Sequence, residues 1–188
     1  MPVSKQISTL FVALVLAASA HAGPPDASVD LDKLLADKGL ISQIDQVTQS
    51  VGQHTSDLVG NAMGFLGVPY RRGGSSAESG FDCSGFVKAM YEQTVGLILP
   101  RKAVQQAAAT LKIARADLQP GDLVFFNTMR HAFSHVGIYI GEGKFIHSPK
   151  PGAEVRIESL SLAYWSRRFN GARRVSTPES EPTAPQGN

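Results

Sequence analysis

The stretch Gly80-Phe81-Asp82-Cys83-Ser84-Gly85-Phe86-Val87 holds the only cysteine of the chain, and the sequence changes character across it. From 60 to 85, leading into and through this stretch, glycines stand at 60, 64, 67, 73, 74, 80 and 85, an excess that marks a backbone bending tightly or approaching something closely. Downstream, Phe86, Val87, Met90 and Tyr91 recur at helical spacing, so Cys83 stands at the start of a buried helix. Such an end carries unpaired N–H groups and the positive end of the helix dipole. The thiol pKa is therefore expected below its free value of about 8.5, and the same N–H groups can hold an oxyanion formed on attack at a carbonyl. A lone cysteine is otherwise a small buried hydrophobe; the glycines and the cap position favour the reactive reading.

A cysteine nucleophile needs a base, and the base needs a group that fixes its tautomer. His131, His135 and His147 lie in a region whose pattern is that of strands. In His135-Val136-Gly137-Ile138-Tyr139-Ile140, Val136, Ile138 and Ile140 face one way and His135 and Gly137 the other. His147 ends the next strand, Lys144-Phe145-Ile146-His147. Pairing parity decides whether the two histidines meet. A two-residue turn at Glu142-Gly143 closed by Gly141 and Lys144 puts His147 opposite Ile138, on the wrong face. A three-residue loop Gly141-Glu142-Gly143 with a bulge pairs Ile140 with Lys144 and puts His147 opposite Gly137, diagonal to His135; this register is predicted. His21, in the apolar leader, His54, near a helix cap, and His131 read as ordinary surface or core histidines without a catalytic role. The spacing of Cys83, His131, His135 and His147 fits no compact zinc pattern, and no metal or cofactor is expected.

Around this centre, Leu58, Val59, Ala62, Met63 and Leu66 form an apolar stripe that Thr55, Ser56 and Asp57 can cap and Gly67 and Pro69 can stop. Two short amphipathic helices precede it, over Leu31 to Leu35 and Ile41 to Val51, with Gly39 between. They read as a packed extension or as a docking element for a protein partner. After Cys83 come a short helix over Val104 to Leu111 and strands at Leu123 to Phe126, His135 to Ile140, Lys144 to His147, Glu154 to Ile157 and Asn170 to Val175. Helices first and strands second predict an α+β domain with a mostly antiparallel sheet.

The 188 residues are 43% apolar and 18% charged, enough for one core and too balanced for a disordered or fibrous chain. Eighteen Lys and Arg against sixteen Asp and Glu give a net charge of +2, without the basic excess a nucleic acid partner requires. Lys5, the apolar run Leu10 to Ala18 and the close Ala20-His21-Ala22 read as a secretory signal peptide over residues 1–22, too short to span a bilayer. No lipid-accepting cysteine follows it, so the mature chain is expected without a membrane anchor, in the periplasm or secreted. Residues 23–56 then form the helical extension, 57–175 the main domain, and 176–188 a disordered tail rich in Pro, Ser, Thr and Glu.

Several ordered stretches together resemble the NlpC-type cell-wall peptidase family. They are Gly67-Val68-Pro69-Tyr70-Arg71-Arg72-Gly73-Gly74, Phe81 to Val87, Leu99-Pro100-Arg101, Leu118 to Phe126, Ser134 to Gly141, and Tyr164-Trp165 to Val175. The resemblance implies a papain-like fold and a triad of Cys83 as nucleophile, His135 as base and His147 as orienting group. It implies that Tyr70 lines the site near the oxyanion or the substrate. It also implies a substrate, the stem peptide of peptidoglycan, cut between D-glutamate and a diamino acid. Arg72 replaces the usual aromatic residue. Asp82 can cap the helix or bind a substrate ammonium, and Ser84 is a further candidate for substrate or oxyanion. The basic pairs Arg71-Arg72, Arg101-Lys102 and Arg173-Arg174 could meet substrate carboxylates, Arg71 or Arg72 being the better candidates. An amidase, a transpeptidase and a catalytically silent wall-binding protein are the alternative readings.

Overall fold

The computed structural model describes residues 40–176, Arg130 excepted. The signal peptide, the helix expected over Leu31 to Leu35 and the tail from 177 fall outside the described residues. The first element is a single helix, α1 (Leu40–Met63), in place of the expected short helix and separate capped start. Val51 and Leu58 stand seven residues apart, two helical turns, so the two apolar runs share one phase and nothing requires a break. Thr55, Ser56 and Asp57 lie inside this helix, and the Ser56 hydroxyl donates back to the Gly52 carbonyl at 3.0 Å instead of capping. The helix thus runs through the boundary expected at residue 57. Leu58 and Ala62 are buried where it joins the core.

The glycine-rich stretch forms a small hairpin, β1 (Ser75–Ser76) with β2 (Gly80–Phe81), too short to show as periodicity. Its glycines answer to close backbone approach. A β-carbon on Gly85 would overlap the Gly74 carbonyl oxygen, and one on Gly74 would overlap that of Gly80. The hairpin is thereby pressed against the start of α2 (Cys83–Val95), which ends at Gly96 with φ +71°. A shorter helix than expected, α3 (Ala103–Ala108), leads into β3 (Leu111–Ile113).

β4 (Leu123–Phe126), β5 (His135–Gly141), β6 (Lys144–His147), β7 (Arg156–Ser159) and β8 (Phe169–Arg174) complete an antiparallel sheet of order β3-β8-β4-β5-β6-β7, with α4 (Ala163–Ser166) before the last strand. The fold class is α+β, as the order of patterns implied. β7 starts two residues later than expected, and Glu154 instead bridges to Pro69. β4 is apolar at every position because both faces are covered. Leu123 and Phe125 join Phe81, Phe86, Met90, Val136, Ile138 and Ile146 under α2. Val124 and Phe126 join Phe145, Leu160 and Trp165 on the opposite face.

The β5–β6 hairpin differs from the predicted one in a way that preserves its consequence. Gly141 pairs with Lys144, so the turn is the two-residue Glu142-Gly143, both with positive φ (51° and 69°). This is the turn geometry whose twist matches a hairpin. The bulge sits one step earlier, where the register shifts between Tyr139 and Gly141, and beyond it Ile138 pairs with Ile146. The extra residue, Ile140, restores the parity that the turn alone would have broken.

Candidate active site

With Ile138 opposite Ile146, the next position along sets Gly137 against His147. Gly137 is what lets the pair close. A β-carbon there would lie 2.7 Å from the Phe145 ring, 2.9 Å from the Ile146 carbonyl oxygen and 3.1 Å from the His147 β-carbon. His135 and His147 are both buried, their rings are close to perpendicular, and His135 Nε2 lies 2.7 Å from His147 Nδ1. Burial holds His135 well below its ordinary pKa, the nearby His147 adding to the effect. Burial also lowers His147, although Glu158 opposes it. Burial thus favours the neutral form of both imidazoles, in which each carries a single ring proton.

Cys83 is the first residue of α2 and shares with His135 the wall of a cavity of about 660 Å³. Tyr70, Arg72, Lys150, Arg156 and Trp165 also line it. The thiol departs from expectation. Burial pushes it up to about 11, the Asp82 carboxylate adds to this, and the backbone N–H groups of Val136 and Ser84 and the Arg101 charge only partly oppose it. The helix end does favour an anion, but Asp82 is already that anion. Its carboxylate accepts the Gly85 N–H at 2.7 Å and the Gly73 N–H at 2.9 Å. Tyr70 is raised, first by burial and then by Cys83 and Asp82, so its hydroxyl keeps its proton as a donor facing the cavity.

Asp82 acts as the helix cap, and Arg101 grips it with both terminal nitrogens, at 2.7 and 2.9 Å. Burial alone would raise the Asp82 carboxyl, but the Arg101 and Gly85 hydrogen bonds outweigh it and hold the carboxyl below its usual range. Ser84 is buried and its hydroxyl accepts from Arg101 at 3.1 Å. The side chains of Asp82 and Ser84 are thus taken up in holding the helix end, and neither lines the cavity. Of the basic pairs, Arg72 alone reaches the cavity wall. Arg174 chelates Asp122 at 2.7 and 2.8 Å, and Arg173 lies over the Phe133 ring. His131 is exposed and lies apart from the cavity lining. Among the described residues no group of three His, Cys, Asp or Glu could hold a metal ion.

Two cavity residues were not singled out by chemistry in the sequence. Glu158 Oε2 lies 3.1 Å from His147 Nε2 and also accepts the indole N–H of Trp165, while Oε1 forms an ion pair with Arg156 Nη2 at 2.8 Å. The Trp165 ring stacks on His135 at 5.4 Å and 25°. The sequence signal for Glu158 was the strand itself. Placed two residues too early, it stopped at Ile157, one position short.

A cysteine at a helix start and a histidine pair on an antiparallel sheet, lining or abutting one cavity, define the papain-like α+β class. Within it the chain belongs to the NlpC/P60 family, whose model matches residues 67–174. The chain is 46% identical over 133 residues to the murein DD-endopeptidase MepH of Escherichia coli, covering 69% of this chain and 49% of that protein. It is 42% identical over 129 residues to the gamma-DL-glutamyl hydrolase of Bacillus subtilis, covering 66% and 31%. It thus spans half or less of the length of these two relatives. Among solved structures it resembles the NlpC/P60 domain of the peptidoglycan hydrolase SagA, with a TM-score of 0.57, 32% identity, and coverage of 64% of this chain and 98% of that one. A Bacillus cereus family member gives a TM-score of 0.60 at 37% identity, with 64% and 39% covered.

Proposed function

We propose that the protein is an exported cysteine endopeptidase that hydrolyses the stem peptides of peptidoglycan through a thioester on Cys83. The observation that carries the reading is the 2.7 Å contact between His135 Nε2 and His147 Nδ1. It leaves His135 Nδ1 as the nitrogen free to serve Cys83, with which His135 shares the cavity wall. Because burial disfavours the thiolate and the imidazolium alike, the resting pair is thiol and imidazole. Sulfur attacks the peptide carbonyl carbon as its proton passes to His135 Nδ1. The first two N–H groups of α2, on Cys83 and Ser84, have no backbone partner within the helix and can meet the oxyanion, and the Tyr70 hydroxyl is a further donor. The C–N bond breaks as the imidazolium returns the proton to the leaving amine. Water then adds to the thioester, giving its proton to His135, and the carboxylic acid leaves as the thiol is restored. His147 orients the ring throughout.

Arg72 and Lys150 on the cavity wall suit a substrate rich in carboxylates, as stem peptides are. No described helix is long and apolar enough to cross a membrane, and the signal peptide reading places the mature protein in the periplasm or medium, where peptidoglycan lies. The first candidate bond is that between D-glutamate and the diamino acid. The similarity to MepH, a murein DD-endopeptidase, supports a second choice, a DD bond. Digestion of purified peptidoglycan with mass spectrometry of the fragments tests both. Fragments ending at D-glutamate are expected, monomers released from cross-linked dimers would select the DD bond, and no peptide cleavage would overturn the proposal.

A further inference from the structure

We propose that Glu158 is a fourth, positioning member of the site, which fixes the tautomers of both histidines so that His135 keeps a bare nitrogen for the Cys83 thiol. The inference rests on the reading of Cys83 and His135 given above. Its logic runs along one chain of hydrogen bonds. Burial would raise the Glu158 carboxyl, but the bonds from His147 and Trp165 and the charge of Arg156 hold it below its usual range, so it is a carboxylate and accepts only. His147 Nε2, 3.1 Å away, must therefore carry the proton. His147 is neutral, so its Nδ1 is bare. The only way Nδ1 can bond to His135 Nε2 at 2.7 Å is to accept from it. His135 Nε2 then holds the single proton of that ring, and Nδ1 is left bare.

The opposite arrangement is equally well bonded at the histidine pair and has no use for the thiol. If His147 carried its proton on Nδ1, it would donate to His135 Nε2, and His135 would hold its own proton on Nδ1. That ring cannot accept the thiol proton. An acceptor-only group beyond His147 separates the two states, and Glu158 is that group. Trp165 couples it back to the base, since its indole N–H meets the same carboxylate oxygen while its ring stacks on His135. Arg156 holds the other oxygen at 2.8 Å, so the carboxylate is fixed at both ends.

The test reads the tautomers on the resting protein by nitrogen-15 NMR of labelled histidine side chains. Both His135 and His147 are expected to be protonated on Nε2 and bare on Nδ1; a proton on Nδ1 of either ring in the wild-type protein overturns the proposal. Glu158→Leu is expected to place the proton on Nδ1 of both rings in a substantial share of molecules, and to lower kcat by about 10- to 100-fold with KM within about twofold. Glu158→Gln, which keeps one acceptor oxygen, is expected to recover part of that loss and of the Nε2 tautomer. If Glu158→Leu fails to fold, Glu158→Gln and the wild-type tautomers decide. A wild-type kcat in folded Glu158→Leu, or a loss confined to KM in either variant, would show that Glu158 does not act through His147. Because tautomers do not depend on turnover, the expected tautomers in a protein that cleaves no peptidoglycan would sink the proposed function and leave this inference standing.

Discussion

His147 Nδ1 meets His135 Nε2 at 2.7 Å although their hairpin closes on Gly141 and Lys144, a pair that by itself would carry His147 to the opposite face of the sheet. One bulged residue, Ile140, reverses that outcome, and one missing side chain, at Gly137, makes room for it. The site therefore depends on backbone features that touch no substrate.

Gly137→Ala tests this dependence. The added carbon meets the Phe145 ring, the Ile146 carbonyl and the His147 β-carbon inside normal contact distance. A loss of about 1 to 3 kcal/mol is expected from overpacking, with a fall in kcat of tenfold or more as His147 is displaced. Urea unfolding and steady-state kinetics measure the two; wild-type kcat in the folded variant would separate the glycine from the histidine pair.

The Cys83 thiol is pushed up to about 11 by burial and by Asp82. Iodoacetamide should accordingly alkylate Cys83 with a midpoint above the value of about 8.5 found for a free cysteine. A midpoint near 6 would mean that a thiolate and imidazolium form at rest, and the proton would then move before substrate arrives.

Arg101→Ala removes both hydrogen bonds to the Asp82 carboxylate and one to Ser84. Arg101 is partly exposed, so after solvent screening the expected cost is about 1 to 2 kcal/mol. The Asp82 carboxyl should also titrate at higher pH. Activity should fall because the start of α2 carries Cys83, whereas Lys88→Ala, which breaks a surface pair with Glu92, should leave both stability and activity nearly unchanged. Equal effects from the two variants would remove the special standing of Arg101.

Acid should weaken the fold before most carboxylates titrate. His135 and His147 are both held below 6.5 by burial, so the folded state binds fewer protons than the unfolded chain. Their contribution is complete above a pH of about 6.5 and is lost as pH falls from there. The urea midpoint should drop between pH 7 and pH 5; a flat midpoint over that window would place the histidines in contact with water.

Much of this was legible in the sequence because it repeats. Phe86, Val87, Met90 and Tyr91 reveal α2 and fix Cys83 at its start, and the alternation from His135 to Ile140 assigns faces correctly. What did not show has physical reasons. Strands of two residues such as Ser75–Ser76 have no period to detect. The helix α1 continues through Thr55, Ser56 and Asp57 because residues that cap well can also bond within a helix when the apolar phase is unbroken. The raised thiol was hidden because its main cause is burial, which only the packed fold supplies, with the charge of Asp82 adding to it. Glu158 is out of view for a similar reason, since its partner His147 lies eleven residues away and only the sheet brings them together.

The proposed thioester on Cys83 can be looked for directly, by acid-quenching the protein within milliseconds of mixing with a purified cross-linked stem-peptide dimer and weighing the intact chain and its proteolytic fragments. A mass increase equal to the acyl half of the substrate, confined to the fragment containing Cys83 and absent from Cys83→Ala, is the predicted result. Peptide cleavage by Cys83→Ala at the wild-type rate, or an acyl group found on another residue, would contradict it.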